Sequence, residues 1–234
     1  MIYELRLYAV TPGRLQDTHA RFEHALPALF KSHGLNCVGR WTALTGPDLP
    51  VFVYMLAYTD LAQREAQWKT FYADPEWARV RTETNAGEEM VDHYQLMFLK
   101  PLKSLLRVNA DEPQHVSGIH ELILQQVALG QPAATREYLA ATYLPALRAA
   151  GAGVMTVCDM MTGRDLPQLV FLLTWADASS RERGWKCVRD DESLRALVKA
   201  QRKDIGKPLL GHSVSYLLEP AAYALPAPYL GAPA

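Results

Sequence analysis

Gly46-Pro47-Asp48-Leu49-Pro50 recurs as Gly163-Arg164-Asp165-Leu166-Pro167, a shift of 117 between positions 46 and 163. Outward from that pair the same shift keeps matching. Glu4-Leu5 falls on Glu121-Leu122, Asp60 on Asp177, Arg64 on Arg181, Trp68 on Trp185 and Asp74 on Asp191. One extra residue brings Leu26-Pro27-Ala28-Leu29 onto Leu144-Pro145-Ala146-Leu147, and a further slip brings Phe98-Leu99-Lys100-Pro101 onto Leu217-Leu218-Glu219-Pro220. Tryptophan, proline and aspartate held in order along most of each half mark an internal repeat. The expected organisation is one unit over 1–105, a second and more divergent unit over 116–219, and a Pro/Ala-rich tail over 220–234. The connector lies near 102–115, where Asp111-Glu112-Pro113 breaks any regular pattern.

Within each half the periodicity changes in a fixed order. Ile2 to Ala9 alternates, with Tyr3, Leu5 and Leu7 on one side and Glu4, Arg6 and Tyr8 on the other, which reads as a strand. After the turn Thr11-Pro12-Gly13, a helix is expected from Arg14 to His33, with Leu15, Phe22, Leu26 and Leu29 at helical spacing and Gly34 as its stop. Strands follow at 36–45 and 51–58, joined by the quoted hairpin segment. Asp60 caps a helix through Trp68 and Phe71, Asp74-Pro75 starts another, and 91–99 is a last strand. The second half repeats this as a strand near 117–126, a helix over 133–150, a hairpin over 153–175, a helical stretch over 178–203 and a strand over 211–219. The order β-α-β-β-α-β is the ferredoxin-like unit, whose sheet has helices on one face only. Its bare face must be covered. Two copies in one chain cover each other, so the expected fold class is α+β, with two such units packed sheet to sheet as an intrachain barrel.

Composition bounds the rest. The 234 residues carry 24 basic and 25 acidic side chains, a formal net charge of −1. Nucleic-acid or anionic-membrane partners are therefore not expected, since both need clustered, uncompensated cations. No apolar run approaches the roughly 20 residues of a membrane-spanning helix, and a soluble cytoplasmic protein is the expectation. The three cysteines are far apart with no Cys-x-x-Cys pair, so no disulfide framework or zinc site is expected. Cys187 reads as a small apolar residue on a buried stripe. The seven histidines form no ligand set; His19 and His24 stand about 140° apart around a helix. No metal and no cofactor are expected, and nucleotide loops and serine-nucleophile motifs are missing.

Tyr3-Glu4-Leu5-Arg6-Leu7-Tyr8 with Pro12-Gly13, then Trp68, then Phe71-Tyr72-Ala73-Asp74-Pro75-Glu76-Trp77 with Val80, resembles the NIPSNAP family of the dimeric α+β barrel group. The second half keeps Glu121-Leu122 but has Asp191-Glu192-Ser193-Leu194 in place of Asp-Pro-x-Trp, and its likeness rests on the internal repeat. The resemblance implies a fold and a tendency to pair. It implies little chemistry, because family members are associated with vesicle or mitochondrial roles without a settled catalytic activity. Relatives by fold include cofactor-free monooxygenases, haem-degrading enzymes and chlorite dismutase-like proteins, and carrying over those reactions is analogy.

Candidate ligand-pocket residues come from the first half. Glu4, Arg6 and Tyr8 share one face of the first strand, read here as facing the barrel interior or its rim. Arg40, Trp41, Tyr54, Tyr58 and His93, or its neighbour Tyr94, sit on strands able to line the same volume. A buried arginine beside a carboxylate must be paired, because breaking such a pair costs about 3–5 kcal/mol. The set is then either an internal ion pair that fixes how the sheets dock, or a pocket whose arginine receives an anionic ligand oxygen. The second half offers Glu121, Ile123 and Gln125 at the matching positions, so any site is expected to be single.

Three function classes follow: a small-molecule or partner-binding barrel protein; a cofactor-independent oxygenase or isomerase acting on an aromatic or keto substrate; and an assembly module working through outer helices or tail, with homo-oligomers by the same surfaces. A cavity lined by Arg6 and several tyrosines favours the first two, and a filled barrel interior the third. The tail, with Tyr223, Leu225, Tyr229 and Leu230, reads as disordered or as an extended strap.

Overall fold

The computed structural model describes residues 1–105 and 115–226. In the first half the order is β1 (Ile2–Val10), α1 (Leu15–Ala20), a π-helical turn (Arg21–Ala25), α2 (Leu26–Ser32), β2 (Asn36–Thr45), β3 (Val51–Tyr58), α3 (Leu61–Ala73), α4 (Pro75–Asn85) and β4 (Val91–Pro101). The second half runs β5 (Ile119–Val127), α5 (Pro132–Tyr138), a π-helical turn (Leu139–Tyr143), α6 (Leu144–Ala149), β6 (Gly153–Met160), β7 (Gln168–Trp175), α7 (Ala178–Asp190), α8 (Glu192–Ile205) and β8 (Leu210–Pro220). The eight strands close into an antiparallel barrel in the order β1-β3-β2-β8-β5-β7-β6-β4. Each half thus supplies a 4-1-3-2 sheet, and two short seams join them: Trp41–Ala43 against Leu218–Pro220, and Leu99–Pro101 against Cys158–Met160.

Local sequence explains the elements. Asp60, Asp74, Asp177 and Asp191 cap α3, α4, α7 and α8, their carboxylates accepting from the amides of Gln63, Glu76, Ser180 and Leu194. In both hairpins the aspartate adopts the left-handed conformation, with φ of 60° at Asp48 and 56° at Asp165, a state that Asp tolerates better than bulkier residues. The single helix expected over 14–33 is interrupted. Pro27 has no amide proton to give the carbonyl four residues back, and the ladder opens into a π turn in which the Leu26 amide bonds the Arg21 carbonyl. Pro145 stands at the same point beside the second π turn. The stretch 178–203 is likewise two helices, divided where Asp191 leaves the helical conformation to cap α8.

β1 is buried on both faces, because one looks into the barrel and the other lies under helices. Tyr3, Leu5 and Leu7 join Trp41, Met55, Met97, Leu122, Met155, Leu172 and Tyr216 in one interior cluster drawn from both halves. The interior is packed with side chains. Trp41 donates from its indole to His120 Nδ1 at 2.9 Å, a hydrogen bond between halves. Gly39 makes room for that indole: a Cβ there would lie 2.1 Å from the Trp41 ring. Outside the barrel, Phe22, Leu26, Phe30, Trp68 and Phe71 pack the first-half helices onto β1 and β3, while Leu139, Leu144, Leu147 and Trp175 do so in the second half.

Cys187 is exposed, not on the buried stripe, because Gly184 and Val188 one turn apart take the inward positions of α7. The tail begins by packing: the Tyr223 hydroxyl meets His19 Nδ1 at 3.1 Å and its ring joins the first-half helical layer. Tyr229 and Leu230 of the tail, and Asp111-Glu112-Pro113 of the connector, lie outside the described residues. Among the described residues no helix is long and apolar enough to cross a membrane, and no group of three His, Cys, Asp or Glu is placed to hold a metal ion.

Candidate functional site

The even-numbered side chains of β1 point away from the barrel interior, into the layer beneath the first-half helices. There they meet a cleft of about 570 Å³. Tyr8 and Tyr54 form part of its floor; Phe22, Phe30, Trp68, Phe71, Tyr72 and Trp77 make its helical walls. Asp92, His93 and Tyr94 of β4 stand at its edge, with Arg21, Arg81 and Glu89. The π turn matters here, because it carries Phe22 and Arg21.

Behind the floor lies a buried charge cluster. The Glu4 carboxylate is fully buried and accepts from the Arg6 guanidinium and from Arg64 Nε at 2.7 Å. Arg6 is 3 % exposed. Its Nη1 donates to the Tyr8 hydroxyl at 3.2 Å and to the Tyr54 hydroxyl at 3.1 Å, and its guanidinium carbon lies 4.1 Å from the centre of the Trp68 ring. The Trp68 indole in turn donates to the Tyr58 hydroxyl at 2.9 Å. Tyr8 and Tyr54 share a hydrogen bond of 2.6 Å. Burial pushes the Tyr54 phenol well above its usual value, Tyr8 adds to the push and Arg6 opposes it. Two guanidiniums on one carboxylate leave the cluster one positive charge in surplus, and its hydrogen bonds run from Arg6 to the cleft floor.

The rim is mostly self-satisfied. Arg21 donates to Thr84 Oγ1 at 2.7 Å and to Asn85, and Arg81 pairs with Glu89 at 2.5 Å. Burial, with the nearby positive charge of Arg81, lowers Arg21 to about 10. Asp92 accepts from Thr11 Oγ1 at 3.0 Å.

The eight expected residues therefore separate. Tyr8, Tyr54 and His93 line the cleft, with Arg6 and Glu4 directly behind it. Tyr58 is one step removed, through Trp68. Trp41 belongs to the opposite face and fills the barrel interior. Arg40 lies in a separate shallow groove with Pro27, Lys31 and Cys37. The expectation of a pocket facing the barrel interior is overturned, because the apolar residues of β1 take the interior and the polar ones go under the helices. Trp68, Phe71, Tyr72 and Trp77 were legible only as helix core and as part of the family motif; their spacing on α3 and α4 carried no sign of a cleft.

The second half has a smaller counterpart of about 290 Å³, lined by Ile123, Gln125, Phe171, Trp185 and Ser213 where the first has Arg6, Tyr8, Tyr54, Trp68 and Tyr94 at the cleft or behind it.

Comparison with known proteins divides along the same line. Residues 3–105 match the NIPSNAP family. The NIPSNAP match thus covers the half that holds the larger of the two corresponding clefts. An uncharacterised NIPSNAP domain protein from Burkholderia xenovorans is 24% identical, over 48% of this chain and 99% of its own, with a TM-score of 0.36. Over nearly the whole length, the fold is similar to a putative monooxygenase from Lactobacillus acidophilus, 8% identical, covering 97% of this chain and 96% of that one, with a TM-score of 0.56. An anthrone oxidase-like protein is 14% identical over 94% of this chain and 91% of its own, with a TM-score of 0.50. At these identities the likeness is one of fold. No curated protein matches the chain.

Proposed function

We propose that the chain works as two units, residues 1–105 and 116–219, of which the first binds a small, flat, largely apolar organic molecule in the cleft between its sheet and its helices. The residues proposed to meet it are Tyr8, Tyr54 and His93, with Glu4 and Arg6 setting the electrostatics beneath. The carrying observation is the cleft itself: about 570 Å³ walled by aromatic rings from four helical elements and three strands. That volume falls within the range of small-molecule sites, which are apolar with a few converging polar groups. Aromatic walls suit a flat ligand, since edge-to-face and offset ring contacts add to area burial. The barrel interior is filled by side chains and offers no comparable aromatic-walled space.

Equilibrium binding of neutral polycyclic aromatic probes, followed by fluorescence, tests this reading. The full chain is expected to bind them. Tyr94→Ala, which removes an exposed ring at the cleft edge, should weaken binding several-fold, whereas Ser213→Ala at the corresponding place in the second half should not. Equal effects, or no binding by the folded wild type, would refute it.

A second reading, an oxygenase or isomerase acting in the same cleft, is favoured by one observation: the hydrogen-bonded chain from Arg6 to Tyr8 and Tyr54 ends where charge on a substrate oxygen would develop. Oxygen uptake with a bound keto or phenolic compound separates turnover from binding alone.

A further inference from the structure

We infer that the molecule taken by the first-half cleft carries a hydrogen-bond-accepting oxygen, a carbonyl or an oxyanion, which the Tyr8 hydroxyl receives. This rests on the binding reading above and adds to it the chemical class of the ligand.

A phenolic hydroxyl has one proton to give and two lone pairs to receive. Arg6 Nη1 donates to both hydroxyls, so each oxygen already spends one lone pair on it. The 2.6 Å contact between the two hydroxyls spends one proton and one further lone pair. One O–H is left over, on whichever tyrosine accepts from the other. Tyr54 is 1 % exposed, and its partners among the described residues are Arg6 and Tyr8. Were the unspent O–H its own, a buried donor would have no acceptor, which costs about 1–3 kcal/mol. Tyr8 is half-buried and lines the cleft. The arrangement that satisfies every donor has Tyr54 giving its proton to Tyr8, and Tyr8 giving its own to the cleft.

Charge points the same way. Glu4, Arg6 and Arg64 together hold one positive charge in surplus, and Arg6 polarises both hydroxyls toward donation. A ligand amine or ammonium aimed at this floor would meet a donor and a cation, which is unfavourable. A pure hydrocarbon would leave the Tyr8 proton without a partner once water is displaced. The charged Arg21, Arg81, Glu89 and Asp92 at the rim are spent on one another or on Thr11, Thr84 and Asn85, so none of them competes with the floor for the ligand oxygen. Tyr72 and His93 are among the other polar side chains facing the cleft.

The test compares two rigid tricyclic probes of nearly the same shape, 9-fluorenone and fluorene, which differ by C=O against CH2. Equilibrium dialysis against the full chain should show the ketone bound about 5–10-fold more tightly, as one charge-assisted hydrogen bond would give. The Tyr8→Phe variant should bring that ratio close to one. Infrared spectra should show the bound carbonyl stretch lowered in the wild type and restored toward its apolar-solvent position in Tyr8→Phe. If the wild type binds both probes equally, the acceptor inference fails while the binding reading stands. A folded wild type that binds neither overturns both. Should Tyr8→Phe fold and keep the ketone preference, the oxygen is received elsewhere and the inference fails. The wild-type ratio and carbonyl shift remain decisive if the variant does not fold.

Discussion

The buried carboxylate of each half occupies the same place on its first strand, yet the two are satisfied by different chemistry. Glu4 takes two guanidiniums, Arg6 and Arg64. Glu121 takes one, Arg181, and completes its set with two neutral indoles, Trp185 at 2.7 Å and Trp175 at 3.1 Å. The substitutions interlock. With Ile123 where the first half has Arg6, the indole corresponding to Trp68 is free to turn to the carboxylate, and Trp175 replaces Tyr58 to supply the second N–H. In the first half the Trp68 indole donates to Tyr58 instead, and its ring lies against Arg6. One cluster is neutral as a set, and the other carries surplus charge directed at a cleft with two hydroxyls on its floor. Both halves bury a carboxylate at the same place on the first strand; the second guanidinium, on Arg6, is found only in the half with the proposed site.

Severing the halves should break this comparison most completely. Residues 1–105, proposed as one unit, would expose the inner faces of four strands that otherwise share an interior with the second half. Burial of that surface contributes about 25 cal/mol per Å², so the fragment is expected to dimerise or aggregate. A stable monomer by sedimentation and thermal melting would show that the sheet face needs no partner.

The next largest effect concerns the anchors themselves. Glu4→Gln leaves Arg6 buried without its counter-charge and is expected to cost about 3–5 kcal/mol. Glu121→Gln leaves only the partly exposed Arg181 to be solvated and should cost less, about 1–3 kcal/mol. Urea unfolding of the two variants compares them directly, and equal losses would contradict the asymmetry between the two carboxylates.

The interior seam sharpens the picture through pH. Burial lowers His120 to about 4, with hydrogen bonding to the Val116 and His115 carbonyls opposing the shift. Its ordinary value is near 6.5, so between about 6.5 and 4 the unfolded chain binds a proton that the folded chain resists. Stability contributed by neutral His120 is therefore present above pH 6.5 and lost as pH falls toward 4, a matter of a few kcal/mol. His120→Asn should be less stable than wild type near pH 7 but show a flatter fall across that window. Chemical denaturation at pH 7 and pH 4.5 measures both, and parallel slopes would exclude His120 as the source.

Much of the architecture was legible because it is written in local rules. The alternation of Ile2 to Ala9, the capping aspartates and the repeated hairpin each report backbone state through nearby residues, and the uncovered sheet face of two such units leaves few ways to close. Local rules also account for the interrupted helix: Pro27 and Pro145 sit in plain view, although helical spacing of apolar residues overrides them in a reading by periodicity. The direction of the first strand was different. Alternation says that Tyr3, Leu5 and Leu7 oppose Glu4, Arg6 and Tyr8, and nothing in it says which set faces the other sheet. When both faces are buried, burial no longer distinguishes them.

That choice belongs to the tertiary structure. The inner face meets another sheet, where flat apolar contact from Tyr3, Leu5 and Leu7 can be filled without gaps. The outer face meets helices, whose longer side chains, Arg64 and Trp68, reach down to satisfy Glu4 and Arg6. The sequence by itself determined the order of strands, the α+β class, the carboxylate at matching positions in both halves and the arginine found in one. Only the folded chain decided that these groups lie beneath a cleft, because a cleft is made by residues from separate elements, here β1, β3, β4 and the first-half helices, whose approach depends on packing rather than on any local pattern.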